Sequence, residues 1–337
     1  MKNNLNKLPE LLAPAGDIEA LRSAIASLAD AIYFGTDMFN ARIRAENFNL
    51  DEAREAIRLC HAHGVKAFVT LNIAIYEREM PKMLEYVSSL YESGVDALIV
   101  SDLGAISLIK KHFPSLEIHA STQACAHNLD GVLALEGLGC ARTVVARELD
   151  KKSIKHICDG ANGEIEMFVH GAHCMSASGG CLMSYTMGGR SGNRGECAQP
   201  CRLPYKINGK SSYPLSLKDM SLASHITEII DTGAASLKIE GRMKSAEYVG
   251  GVVSVWRELL DKRKNADALH MSRLESIFSR QGFTDGYFEG KIGDNMLGVR
   301  SDEDKQASRE YESKQISLEK PALDINARFV LGETASI

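Results

Sequence analysis

The sequence predicts an α/β fold: a (β/α)8 barrel of the TIM type, with a Cys-rich loop inserted after strand seven and a C-terminal extension. Three observations carry this. Short apolar runs alternate with amphipathic helical stretches eight times between Glu10 and Lys262, a pattern that implies parallel strands joined by right-handed crossovers. Polar residues recur just after the strands, at Asn72, Ser101-Asp102, Ser121-Thr122-Gln123, Arg147-Glu148, His170 and Glu240-Arg242. In a closed barrel those strand ends converge on the face where active sites sit. No Gly-x-Gly-x-x-Gly follows the first strand, which counts against an open dinucleotide-binding sheet.

The elements are expected in this order. Residues 10–15 (ELLAPA) form strand one, and Asp17 after Gly16 caps the helix that runs to Leu28. Residues 31–35 form strand two; a loop and a helix over 51–63 follow. Strands three to seven are expected at 66–72, 97–102, 117–122, 143–148 and 164–171. Helices fill the gaps near 80–93, 103–112, 128–138 and 151–158. Asn208-Gly209 between extended pieces signals a hairpin. A helix over 222–232, strand eight in SLKIEG (236–241) and a helix over 245–262 complete the set. The barrel with its Cys-rich insertion (172–213) thus occupies 9–262, and a helical and turn-rich extension occupies 263–300. Residues 301–337 read as a charged linker or exposed helix, followed by the first strand of a β-rich unit in ALDINARFVLGETASI.

Composition narrows the function classes. Hydrophobic residues make up 45% of the 337 and charged residues 25%, the profile of a globular protein. The net charge of −5 gives no global basic signal for nucleic acid, although it leaves room for a local basic patch. The N-terminus lacks the apolar segment of a signal peptide and no apolar run is long enough for a membrane span, so a cytoplasmic location is expected. There, clustered cysteines suggest metal or redox chemistry rather than disulfides.

Four of the eight cysteines, Cys174, Cys181, Cys197 and Cys201, lie in one Gly-, Ser- and Arg-rich stretch at C-x6-C-x15-C-x3-C. No helix or strand periodicity is visible after Cys174. Zinc sites usually pair ligands two to four residues apart, and only Cys197 and Cys201 do so. Iron–sulfur clusters accept thiolates from separate turns, so a 4Fe–4S cluster is favoured, with zinc as the alternative and four packing cysteines as the bland one. Cys60, Cys140 and Cys158 read as helix packing residues, and Cys125 as a possible pocket lining. His170 and His173 flank the loop, as metal ligands, acid/base groups or structural histidines. His225 reads as an ordinary helix-end residue.

Alternation places Lys238 and Glu240 on one face of strand eight, near the mouth, with Arg242 beyond. Buried Lys and Glu are rarely tolerated unpaired, so this pair is either a structural tie or a site; the strand end favours a site. Lys238, Glu240, Arg242 and His170 are the candidate catalytic residues. Arg42, Asn72, Gln123, Arg147, Arg190 and Arg194 are the candidate substrate-binding residues, the arginines suiting an acidic or phosphate-bearing substrate. No Ser-His-Asp pattern, His-Glu-x-x-His or Gly-x-Ser-x-Gly elbow is present. A Cys–His dyad from Cys174 would leave the other loop cysteines unexplained.

EMFVHGAHCMSASGGCLMS (166–184), together with ELLAPAG, ADAIYFG, FNARIRAENF, RSGNRGECAQPCR, SLKIEGRMKS and GFTDGYF, closely resembles the collagenase-like peptidase family U32 over residues 9 to 300. The family is named for proteolysis of collagen, yet several bacterial members are linked to hydroxylation without oxygen, of a ribosomal RNA cytidine, of the tRNA wobble uridine, or in ubiquinone synthesis. The resemblance implies an RNA hydroxylase with RNA as partner and prephenate as co-substrate. It implies a 4Fe–4S cluster on Cys174, Cys181, Cys197 and Cys201, with Cys201 the least constant position in the family. The C-terminal segment resembles the start of the β-rich extension of longer members, which tilts the reading toward the ribosomal RNA group. A peptidase, or a non-catalytic metal knot that docks a partner, is the alternative.

Overall fold

The computed structural model describes residues 8–42 and 46–317. Seven strands open the chain: β1 (Glu10–Pro14), β2 (Ala31–Gly35), β3 (Lys66–Leu71), β4 (Ala97–Val100), β5 (Glu117–Ala120), β6 (Arg142–Val144) and β7 (Glu164–Gly171). A hairpin of β8 (Tyr205–Ile207) and β9 (Lys210–Ser212) follows, then β10 (Asp219–Ser221) and β11 (Ser236–Ile239). Strands β1 to β7 pair in parallel, each with the next. β11 pairs in parallel with both β7 and β1, which closes an eight-stranded barrel.

Helices α1 (Ile18–Ala26), α2 (Leu50–Ala62), α3 (Met80–Glu92), α4 (Leu103–His112), α5 (Leu129–Gly137) and α6 (Lys151–Gly160) link the first seven strands. Local chemistry starts them. Asp17 caps α1 by accepting from the Ala20 amide at 2.7 Å, and Asn49 and Glu52 form a reciprocal capping box on α2. α7 (Met183–Gly188) lies inside the Cys-rich loop, where no helix was expected; six residues are too few for a periodic signal. α8 (Ile226–Thr232) and α9 (Ala246–Lys262) complete the ring, and α10 (Ala268–Ile277) packs on α9.

The hairpin is as its sequence signals: Asn208 and Gly209 both take positive φ, 50° and 79°. β10 was not expected. Its three residues run antiparallel to the end of β7, and β12 (Phe283–Thr284) adds to its far side. The charged stretch after Ser301 is the helix α11 (Asp302–Ser317), which packs on α9 and α10. The strand expected in ALDINARFVLGETASI lies outside the described residues.

Two cores result. The outward faces of the strands meet the helices in one large apolar layer that includes Trp256. Inside the barrel, Leu12, Ala31, Tyr33, Phe68, Ala97 and Ile99 form a small apolar cluster on β1 to β4. The other half of the interior is ionic: His119, Arg142, Glu166 and Lys238 are all buried. Barrel interiors are ordinarily filled by branched apolar layers, so charge here needs pairing, and it is paired. Arg142 bonds Glu10 at 2.6 Å, Glu164 at 2.6 Å and Glu166 at 3.1 Å.

Candidate active site

The C-terminal mouth of the barrel holds an open hollow of about 390 Å3. Lys238, Glu240, Arg242, Arg42, Asn72, Gln123 and Arg147 all line it, with Tyr33 and Phe168 as its walls. Strand geometry explains the gathering. Lys238 and Glu240 share the inward face of β11, and the Arg147 and Gln123 loops follow β6 and β5. Asn72 accepts from the Ala41 amide at 3.0 Å and so fixes the loop that carries Arg42.

Glu240 is the electrostatic centre. It accepts from Arg147 at 2.8 Å and lies 3.6 Å from Arg42. Burial pushes its carboxyl up, but Arg42, Arg147 and Arg242 outweigh burial and hold it near 2. Arg242 bonds Thr70 at 2.9 Å and Asn40 at 3.3 Å; burial, with Arg42 beside it, brings its guanidinium down to about 10. Arg147 stacks 3.9 Å over the Phe168 ring, with its buried Nε unpartnered. Three guanidiniums therefore face one carboxylate, an excess of positive charge suited to an anion.

Lys238 pairs not with Glu240 but with Glu166, at 2.8 Å. Its amine sits 4.3 Å from the Tyr33 ring centroid, and the Tyr33 hydroxyl donates to the Ile239 carbonyl at 2.9 Å. Burial lowers the Lys238 pKa and Glu166 partly restores it. Glu166 is itself held near 2: burial raises it, and Lys238, Arg142 and His119 more than reverse that.

His170 departs from its expected place. Alternation from Phe168 would turn it into the barrel, but β11 pairs Lys238 with Phe168 and then Ile239 with His170. The extra residue, Val169, is a bulge. It turns His170 outward onto Trp256 and Tyr248 of α9 and onto Phe283. Burial there drives its pKa down to about 3, and its ring Nδ1 lies 3.3 Å from Ser221 Oγ. Arg190 and Arg194 also lie off the hollow. Arg190 donates to the Glu196 carbonyl within its own loop, and Arg194 bonds Glu79 at 2.8 and 3.0 Å and the Ala74 carbonyl at 2.5 Å. Both arginines are fasteners of the Cys-rich loop.

That loop lies across the mouth. Ser178 is bonded by Glu148 through both its amide and its hydroxyl. Gly195, at φ 87°, passes so close to Asn40 that a Cβ would sit 2.6 Å from the Asn40 carbonyl oxygen. The four loop sulfurs act on one another electrostatically: Cys201 is raised by burial and also by Cys174, Cys197 and Cys181. Amides of Met183 and Gln199 donate to Cys181 and Cys197 at 3.4 Å, and the Ser184 hydroxyl lies 3.7 Å from Cys197. Such donors stabilise thiolates bound to a metal. Among the described residues no three of these sulfurs stand within 4.8 Å of one another, whereas four thiolates on one zinc at 2.3 Å stand about 3.8 Å apart. Four thiols offered from separate turns, two of them with amide donors, are the kind of donor set that a 4Fe–4S cluster takes. None of the four bonds a histidine; His173, buried on Tyr287, keeps its Nδ1 without a partner. Cys60 and Cys140 are buried, whereas Cys125 contacts the Ser178 carbonyl outside the four.

The family model described as Peptidase family U32 matches residues 16–297. The chain belongs to this family. This U32 chain is 36% identical over 303 residues to the 23S rRNA 5-hydroxycytidine C2501 synthase of Escherichia coli K12, covering 85% of the chain and 46% of that protein. It is 37% identical over 273 residues to tRNA hydroxylation protein P1 of Bacillus subtilis 168, covering 77% of the chain and 65% of that protein. The chain thus spans about half of the first relative and just under two thirds of the second. The solved U32 peptidase Mk0906 shares the fold at a TM-score of 0.51 and 12% identity, over 70% of this chain and 94% of that one.

Sequence reasoning missed Glu166, Arg142 and Tyr248 of this U32 chain. A signal existed for the first: an acid between the apolar Ile165 and Met167 of β7, at the same parity as Phe168. His225 was also undervalued. It sits among Glu228, Asp285 and Glu289, and the Lys151 amine fills the space between Glu228 and Glu289 at 2.6 and 2.8 Å. That group is a charge-paired tie between α6, α8 and the β12 loop. No helix of the described residues is long and apolar enough to cross a membrane.

Proposed function

We propose that this chain carries the catalytic barrel of an iron–sulfur-dependent, oxygen-independent hydroxylase acting on a ribosomal or transfer RNA base, with prephenate as co-substrate. The observation that carries the reading is the meeting of two sites at Arg42. In the hollow Arg42 lies 3.6 Å from Glu240, and the Asn40–Ala41 segment just before it is the seat of Gly195 in the Cys-rich loop. A four-thiol set placed directly over an anion-attracting pocket suits a redox step on a bound substrate. The names of both curated relatives point the same way.

A 4Fe–4S cluster on Cys174, Cys181, Cys197 and Cys201 would supply one-electron chemistry at the mouth. The chain's own residues do the rest. Arg42, Arg147 and Arg242 hold the carboxylates of a dicarboxylate in bidentate fashion. Glu240 keeps two of those guanidiniums oriented before the anion arrives. Lys238, fixed by Glu166, presents a proton at Nζ to the pocket floor. Phe168 and Tyr33 exclude water from one wall.

The test is protein purified without oxygen. The visible spectrum, iron and sulfide are measured, and RNA from cells lacking the protein is mapped for hydroxylated bases with and without complementation. About four iron and four sulfide per chain, and a modification restored by wild type but not by Cys197→Ala, are expected. Stoichiometric zinc in colourless protein would overturn the reading. Gelatin cleavage lost in Cys174→Ala would restore the peptidase alternative.

A further inference from the structure

Three cations share one aromatic ring just outside the mouth. Lys244 Nζ lies 2.8 Å from the Phe278 ring centroid, with the guanidinium carbons of Arg300 and Arg280 at 4.2 and 5.2 Å. Their acidic neighbours are already engaged. Buried Asp219 bonds Arg280. Asp304 accepts from the Ser279 hydroxyl and from the Gln281 and Ser301 amides. Glu312 accepts from the Ser245 hydroxyl at 3.4 Å. Among the described residues neither Lys244 nor Arg300 is paired with a carboxylate, and Arg300 Nε is buried without a partner. Like charges gathered on one half-buried ring are costly unless an anion completes the group. Burial, reinforced by Arg280 and Arg300 against the pull of Asp219, brings the Lys244 amine down to about 7.

The place of this group matters as much as its charge. Lys244 follows β11 by a few residues, at the positive N-terminal end of the long helix α9. Tyr248 bridges to the hollow: its hydroxyl donates to the Glu240 carbonyl at 3.1 Å, while its ring packs on Phe278 and under Lys244. On the other side Arg202, next to Cys201, donates to the His173 carbonyl at 2.7 Å and to Ser216 Oγ at 3.1 Å, and the Ser216 hydroxyl donates to the Gly298 carbonyl, two residues before Arg300, at 2.7 Å. The cations thus sit one tyrosine away from the pocket and beside the root of the Cys-rich loop.

We propose that Lys244, Arg280 and Arg300 form an oxyanion seat for a backbone phosphate of the RNA whose base enters the hollow; this rests on the RNA reading above. Ammonium and guanidinium groups are the usual phosphate contacts, and such contacts position a nucleic acid without reading its sequence. A base extruded into the pocket needs a fixed backbone next to it. The seat also gives an acidic chain a local cationic foothold for RNA.

The experiment is a salt titration of single-stranded RNA oligonucleotide binding to the full chain, for wild type, Lys244→Gln, Arg300→Gln and Arg300→Lys. Each neutral variant should bind more weakly and lower the slope of log affinity against log salt, by at most about 0.7, the whole of one single-strand phosphate contact. Arg300→Lys should recover the slope. Wild-type binding with unchanged slopes in both neutral variants overturns the seat and leaves the RNA reading standing. No RNA binding by wild type overturns both. Thermal melting guards against misfolding: inorganic phosphate should raise the wild-type Tm above chloride at equal ionic strength, and should do so less in Lys244→Gln. An equal rise in that variant overturns the seat.

Discussion

Lys238 Nζ lies 2.8 Å from Glu166 Oε1 in the barrel interior, where the Lys238 side chain is 4% exposed and that of Glu166 not at all. Glu166 in turn meets Arg142, and Arg142 meets Glu10 and Glu164 at the opposite end. A line of alternating charge therefore runs from the floor of the barrel to the hollow. Breaking one member of such a line leaves its partner charged and unpaired in a low-dielectric interior.

Glu166→Gln is accordingly expected to destabilise the fold by about 3–5 kcal/mol, the usual consequence of removing one partner of a buried ion pair. Adding Lys238→Met to it should recover part of that loss, since neither charge is then stranded. Urea unfolding of the two single variants and the double variant gives the coupling. A loss under about 1 kcal/mol for Glu166→Gln would mean that the pair is dispensable.

Acid should destabilise the protein in two stages. His170 is held near 3 by burial, below its ordinary 6.5, so the folded state resists a proton that the unfolded state accepts. Its stabilising contribution is complete above pH 6.5 and is lost as pH falls toward 3, at about 1.4 kcal/mol per pH unit. Glu166 and Glu240, both near 2 against 4.5, add a second stage: their contribution is complete above pH 4.5 and lost as pH falls toward 2. His170→Asn should remove one proton's worth of slope between pH 6.5 and 3 and leave the carboxylates' own contribution below pH 4.5 intact. Unfolding free energies at pH 7.5, 5.5 and 4 test this. An unaltered upper slope in the variant would show that His170 is not the group that titrates.

The strands were legible because each is a short, mostly apolar run, and the inward parity of Lys238 and Glu240 follows from the alternation in SLKIEG (236–241). Glu166 as the partner of Lys238 was not legible, because the pairing depends on the register between β7 and β11, set by contacts 72 residues apart. His170 was misplaced for a related reason: one bulged residue inverts the face of everything after it. Arg194 looked like a free cation since Glu79, its partner, lies 115 residues earlier. β10 has three residues and no period of its own; β7 recruits it. Sequence patterns expose what local alternation decides and hide what non-local register decides.

Glu240→Gln removes the carboxylate that neutralises part of the arginine cluster while keeping its shape. The hollow then gains net positive charge, and a dicarboxylate such as prephenate should bind severalfold more tightly. Arg147→Gln should weaken the same binding by at least tenfold, the loss of one charge-assisted contact of about 1.5–3 kcal/mol. Calorimetric titration of both variants decides the matter. Weaker binding in Glu240→Gln would show that its orientation of Arg42 and Arg147 outweighs the charge it neutralises.

Gly195→Ala tests how the Cys-rich loop is seated. Gly195 has φ 87°, a conformation that costs an alanine about 1–2 kcal/mol, and its Cβ would meet the Asn40 carbonyl oxygen at 2.6 Å. Backbone on both sides of that contact leaves little room to yield. The loop must lift from the Asn40–Ala41 segment, and that movement carries Cys197, two residues on, away from the other three sulfurs. Anaerobically prepared Gly195→Ala should therefore keep the wild-type far-ultraviolet circular dichroism and lose most of its bound iron. Full iron retention would show that the seat on Asn40 does not hold the four thiols in register.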